Sequence, residues 1–158
     1  MKVINIHTRE FSVSRDIVWE KIGLLSSRID PIWPYEKWPR MILHPGLVLG
    51  AKGGHGPIRY LVDEIQEKKE IKFRFLSPKG FDGFHLLKLE GNETTSKLTH
   101  EIRMETKFKS SLLWCLVIKH LHDALIEDAF TKLESTLSLQ QTKVNWNLWV
   151  KFLRHILN

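Results

Sequence analysis

From Ile58 to Lys107 the chain alternates apolar with polar residues, and short polar turns break the alternation into segments. Period-two alternation marks strands with one face buried and one face wet. Ile58 to Ile65 is the first such segment. After the charged turn Gln66 to Glu70, Ile71, Phe73 and Phe75 alternate with Lys72 and Arg74. Ser77-Pro78-Lys79-Gly80 leads into Phe81 to Glu90, and Gly91-Asn92-Glu93 into a long last segment, Thr94 to Lys107. Connections this short join only antiparallel neighbours. A sheet with one apolar face has to cover that face with another layer.

The cover follows in the sequence. Ser110 and Ser111 open a segment from Leu112 to about Leu139 that contains no proline or glycine, read as one long helix. Upstream, Val3 to Phe11 reads as a first strand. Ser12 to Ser14 supply capping residues for a helix from Arg15 to Leu25. Pro31, Pro34, Pro39 and Pro45 then break the stretch from Asp30 to Gly46 into an irregular connection or short helical turns. Four of the nine glycines fall in Gly50-Ala51-Lys52-Gly53-Gly54-His55-Gly56-Pro57, where the sheet is expected to bend around the long helix at the rim of an enclosed space. The expected class is therefore α+β, a curved antiparallel sheet gripping a C-terminal helix.

This order of elements, the opening Phe11-Ser-Val-Ser-Arg-Asp-Ile-Val-Trp19 and the long C-terminal helix together resemble the SRPBCC superfamily of helix-grip domains. That superfamily includes START lipid-transfer domains, birch-pollen-allergen-like carriers and polyketide cyclase-like proteins. The resemblance covers about Lys2 to Leu139 and includes no short catalytic motif. It implies a cavity between sheet and helix that holds a hydrophobic molecule, in binders and enzymes alike. The domain is drawn as residues 1–140, with 141–158 as a helical tail.

Strand parity selects the polar residues of such a cavity. Phe81, His85, Leu87 and Leu89 share a face, as do Leu98, His100, Ile102 and Met104. On the long helix His122 falls near the stripe Cys115, Ile118, Ile126, Ala129 and Leu133. His55, in the glycine bend, closes one end. The ligand-binding set is His55, Tyr60, Phe73, Phe75, His85, His100 and His122. Each of these histidines also has the plainer reading of a hydrogen-bonded core residue. Asp123, Glu127 and Asp128 offer a general acid or base on the long helix, with the solvated side of an amphipathic helix as their plainer reading, and Cys115 reads as a buried, inert thiol.

Several chemistries are set aside. No two histidines have the strand or helix spacing that presents them together, since His120 and His122 point to different sides of a helix; no metal site and no cofactor are expected. The glycine stretch lacks both the dinucleotide fingerprint and the Walker sequence. The net charge of +6 comes from Lys and Arg interspersed with acids, a solvated basic surface with no nucleic-acid module. A lone cysteine and an N-terminus without a long apolar core give the cytoplasm as the expected compartment.

Two apolar features exceed what one sheet face needs. Leu112-Leu-Trp114-Cys-Leu116-Val-Ile118 is apolar on nearly all sides, and the tail from Val144 to Leu157 sets Trp146, Trp149, Phe152 and Ile156 among Lys151, Arg154 and His155. The tail is expected to cover the first turns of the long helix, to pair two subunits or to contact an anionic membrane. Three functions follow: binding or transport of a small hydrophobic or amphipathic ligand, acid–base catalysis of polyketide-cyclase type by pocket histidines, or docking through the tail helix.

Overall fold

Alternation from Ile58 onward produces the expected antiparallel hairpins, and two further strands extend the sheet into the glycine-rich region. The computed structural model describes residues 1–157. Its elements are β1 (Lys2–Phe11), α1 (Arg15–Gly23), β2 (Ile42–His44), β3 (Lys52–His55), β4 (Ile58–Gln66), β5 (Glu70–Ser77), β6 (Phe81–Gly91), β7 (Ser96–Thr106), α2 (Phe108–Leu113), a π-helical turn (Trp114–Ile118), α3 (Lys119–Thr136) and α4 (Leu148–Leu157). The seven-stranded sheet has the order β1-β7-β6-β5-β4-β3-β2. Its chain-terminal strands meet, Lys2 opposite Glu105 and Phe11 opposite Ser96.

Ser14 caps α1 by accepting a hydrogen bond from the Ile17 amide, and α1 ends at Gly23, two residues short of the expected Leu25. The proline-broken stretch is irregular as expected up to Met41, but Ile42–His44 forms an edge strand that the sequence did not announce. Its partner β3 runs through Gly53 and Gly54. A Cβ on Gly53 would lie 1.9 Å from the Ile42 carbonyl oxygen, and one on Gly54 1.9 Å from that of Ile58. The glycines therefore let three backbones approach where side chains do not fit. Asp30 holds the start of the preceding loop by accepting from the amides of Ser26, Ile32 and Trp33.

The long helix departs from expectation. It begins at Phe108, three residues before the second of the serines read as its start, and a π turn interrupts it at Trp114–Ile118. Eight residues of regular α-helix turn about 80° past two full turns, whereas seven stop about 20° short. The residue inserted by the π turn thus brings Trp114 and His122 to one side, their rings 6.1 Å apart. It also turns Cys115 outward, where its thiol is exposed instead of buried.

Between sheet and helix lie two apolar clusters. The larger contains Phe11, Val18, Tyr60, Leu87, Leu98 and Leu133, the smaller Val3, Phe81, Ile102, Met104 and Trp114. The three strands β1, β6 and β7 each carry a histidine between their contributions to the two: His7 between Val3 and Phe11, His85 between Phe81 and Leu87, His100 between Leu98 and Ile102. His122 does the same on the helix. The fold thus contains a rank of four histidines separating two hydrophobic clusters.

Candidate functional site: a rank of histidines beneath the long helix

The rank arises from strand register. His7 stands directly opposite His100 in the β1–β7 ladder, and His85 opposite Phe73 in the β5–β6 ladder. The rings then follow one another through the interior. Trp33 and His55 have centroids 4.7 Å apart, His55 and Tyr60 6.1 Å, Tyr60 and His85 4.9 Å. Phe73 stacks on His85 at 4.7 Å and Phe75 lies 5.3 Å away. His85 and His100 are 5.3 Å apart, His100 and His122 4.9 Å, and His122 and His7 5.8 Å. All seven residues of the sequence-derived set therefore lie in one connected chain of rings.

Within it, His100 Nε2 and His85 Nδ1 share a hydrogen bond of 3.3 Å. One ring donates and the other accepts. Tyr60 OH, His100 Nδ1 and His122 Nδ1 are buried without any hydrogen-bond partner. Buried polar atoms are rarely left so, because each forfeits the hydrogen bonds it makes in water. Phe75, His85 and Ile118 keep partial solvent exposure beside these atoms.

Burial sets the charge of these rings. It lowers the pKa of His55 to about 3, with the charges of His122 and Arg59 adding to the effect. Burial also depresses His85 and His100 well below the ordinary histidine value, their neighbouring histidines pushing the same way. The Tyr60 hydroxyl is pushed upward by burial and stays protonated. The interior of the rank is therefore neutral at pH 7.

Its outer end is ionic. The inner face of β1 presents Asn5, His7 and Arg9 to acids on α3. Asn5 Nδ2 donates to Asp123 Oδ1 at 2.8 Å; His7 lies 3.1 Å from Asp123 and 2.8 Å from Glu127; Arg9 donates to Glu127 and Glu134, both at 2.6 Å. Burial opposes a charge on His7, but the two carboxylates outweigh it and its pKa is raised. Asp123 is likewise desolvated, yet the nearby His122 ring and the hydrogen bonds from His7 and Asn5 hold it well below the usual carboxylate range. Asp128, only 1% exposed at its side chain, accepts from Lys37, Trp38 and Trp146. The expectation that Asp123, Glu127 and Asp128 form a solvated face is thus overturned: the returning strand β1 and the two indoles occupy that side. His7 is the participant that sequence reasoning missed. Its signal was the same parity that marked His85, masked by the polar neighbours Asn5 and Arg9.

Two surface clefts, each of about 280 Å³, lie elsewhere. One is on the outer face of β1, β6 and β7 beside Lys2, Asp82 and Arg103, the other beside Arg40, His44, Gly54 and Arg59 at the β2–β3–β4 edge. Of the ring chain only His55 lines either of them.

The tail helix α4 begins at Leu148, later than the expected Val144, and packs on its own domain. Val150 and Leu153 are buried, and the Arg154 guanidinium sits 4.7 Å from the Trp38 ring. Trp149 Nε1 donates to the Leu116 carbonyl at 2.9 Å. The tail leaves Leu112, Leu113 and Leu116 at least 40% exposed, so it does not cover the first turns of the long helix as expected. No helix of the described residues is long and apolar enough to cross a membrane.

No protein-family model and no curated protein matches the chain. Solved structures do. Norcoclaurine synthase from Thalictrum flavum, in complex with dopamine and hydroxybenzaldehyde, superposes with a TM-score of 0.67 at 11% identity over 90% of each chain. Major latex-like protein 151 from Panax ginseng gives 0.62 at 13% identity, over 85% of this chain and 96% of that one. CalU16 from Micromonospora echinospora gives 0.52 at 13% identity, over 86% and 87%. At these identities what is shared is architecture: the chain has the same helix-grip fold, an antiparallel sheet around a long C-terminal helix.

Proposed function

We propose that the protein binds a small aromatic or amphipathic molecule between the sheet and the long helix, with Tyr60, His85, His100 and His122 as its polar contacts. The observation that carries this reading is the set of unpartnered buried atoms, Tyr60 OH, His100 Nδ1 and His122 Nδ1, strung along an aromatic chain. A ligand with hydrogen-bonding groups and a flat apolar body answers both features at once. His55, Phe73 and Phe75 complete the lining. The ligand-bound norcoclaurine synthase lends support, since the same architecture there accommodates two small aromatic molecules.

Native mass spectrometry of protein purified without detergent, followed by thermal shift with fatty acids and aromatic polyketides, tests the reading. A ligand at a hundredfold excess over its dissociation constant stabilises by about 2.7 kcal/mol. That shift is expected to vanish in His100→Phe. Absence of both a co-purified molecule and any shift overturns it.

A second reading is acid–base catalysis. It is favoured by the 3.3 Å contact between His85 and His100, two neutral imidazoles within proton-transfer reach of one another. His85 would accept a proton from an acidic carbon while Tyr60 OH donates a hydrogen bond to the adjoining carbonyl oxygen. Exchange of that carbon's hydrogen with deuterated water, slowed about a hundredfold in His85→Gln, separates this reading from simple binding.

The apolar surface of α2, the π turn and α4 suits acquisition of such a ligand from an anionic membrane. Residues 107–122 and 142–157 contain no acid, and their exposed Leu112, Leu116, Trp149 and Phe152 are flanked by Lys109, Lys119 and Lys151. Co-sedimentation of the full chain with phosphatidylserine vesicles but not phosphatidylcholine vesicles is expected; a stable dimer on gel filtration with no vesicle binding assigns the surface to a second copy instead.

A further inference from the structure

We propose that His7, His122 and Asp123 form a binding site for a divalent transition-metal ion of the zinc class, where the histidine rank meets the surface. One ligating atom from each lies within 4.8 Å of the other two. Asp123 Oδ1 is 3.1 Å from His7 Nε2 and 3.7 Å from His122 Nδ1. Ligands held about 2.1 Å from a shared tetrahedral ion stand roughly 3.4 Å apart, so small side-chain torsions complete the geometry.

Three further features fit a metal better than a purely structural cluster. The far nitrogen of His7, Nδ1, is 2.8 Å from Glu127 Oε1, and Glu127 is in turn held by Arg9 at 2.6 Å. A carboxylate behind the histidine fixes the Nδ1–H tautomer and turns the Nε2 lone pair toward Asp123, as in the outer shell of zinc sites. His122 Nδ1 has no hydrogen-bond partner, on a side chain only 11% exposed. Asn5 Oδ1, on the amide that donates to Asp123, is also buried and unpartnered.

The competing arrangement is an imidazolium at His7 bridging the two carboxylates. It satisfies Asp123 and Glu127 but leaves the lone pairs of His122 Nδ1 and Asn5 Oδ1 without an electrophile. A cation held among His7, His122 and Asp123 answers the unpartnered His122 nitrogen. Two imidazole nitrogens and one carboxylate oxygen form a borderline donor set that selects zinc and its neighbours over magnesium or calcium. Asp123 is 33% exposed at its side chain, which gives an ion a way in. The site shares His122 with the small-molecule reading but does not rest on it: His7 and Asp123 lie outside the proposed ligand contacts, and Tyr60, His85 and His100 outside the metal site.

The test is calorimetric titration of the chelator-treated full chain with zinc chloride alone, paired with cobalt(II) titration read by visible absorption. One equivalent of zinc and d–d bands of a low-coordinate cobalt complex are expected. His122→Gln and Asp123→Asn should each weaken binding by at least about tenfold, and Glu127→Gln by about tenfold through His7. His120→Gln and His155→Gln should leave it unchanged. Because His7 also ties β1 to α3, the wild-type chain supplies a readout independent of variants: zinc should shift the ring resonances of His7 and His122 and not those of His44 or His155. Failure to bind a stoichiometric ion, or binding that leaves the His7 and His122 resonances in place, overturns the proposal.

Discussion

At the scale of single residues, the neutral histidines make stability depend on pH. His55 and His85 have folded pKa values depressed below 6.5 by burial, so the unfolded chain binds protons that the folded chain refuses. Their contribution is therefore present above about pH 6.5 and is lost as the pH falls toward their folded values. Both rings keep some solvent contact, which trims the expected loss to about 1 kcal/mol each between pH 7 and pH 5. Urea denaturation at the two pH values measures it, and His85→Phe should flatten the difference. Gly53 and Gly54 are constrained more rigidly. Either glycine changed to alanine forces apart strands whose carbonyls stand 1.9 Å from the new carbon, at a cost of about 3 kcal/mol in thermal or chemical unfolding. Parity made His85 and His100 legible in the sequence because Leu87, Leu98 and Ile102 flank them on the same face. His7 was hidden because Asn5 and Arg9 blur the apolar face of β1. Gly53 and Gly54 signalled a bend, and nothing in two adjacent glycines announces a paired strand.

Among elements, α3 shows why periodicity alone misplaces polar side chains. A helix with Asp123, Glu127 and Asp128 on one side looks amphipathic, and solvent is the ordinary partner for that side. Here β1 returns beside β7 and brings Asn5, His7 and Arg9 against two of those acids, a long-range pairing that local sequence does not encode. Asp128 fastens three elements at one point by accepting from Trp38, Lys37 and Trp146. Asp128→Ala strands two indole N–H groups and should cost about 3 kcal/mol, whereas Asp128→Asn keeps one acceptor oxygen and should cost less. Guanidinium unfolding of the two variants gives the ranking; equal losses would mean that charge, not hydrogen bonding, holds the junction. The π turn was equally invisible, since a run of apolar residues on nearly every side carries no phase with which to detect an extra one.

For the molecule as a whole, the tail is integral to the described fold. Ending the chain after Gln141 exposes the surfaces that bury Val150 and Leu153 and removes the Trp146 bond to Asp128. A stability loss of about 4 kcal/mol is expected from the two aliphatic side chains alone, measured by thermal melting. The helix-grip order was readable from the strand alternation and the uninterrupted C-terminal segment, which is why the fold could be anticipated without any related sequence. The interior was readable only in part, since which histidines meet depends on register between strands far apart in the chain. Apolar packing between sheet and helix is uneven along their length: it is dense where Leu98 and Leu133 pack, dense again around Ile102 and Trp114, and gives way between them to the rings, where polar bonds from β1 hold α3 at one edge of the sheet. Such a body parts most easily across its middle, so amides beside His100 should exchange with deuterium through partial opening, while those of Leu133 wait for the whole chain to unfold. A guest that enters by that seam need not melt its host.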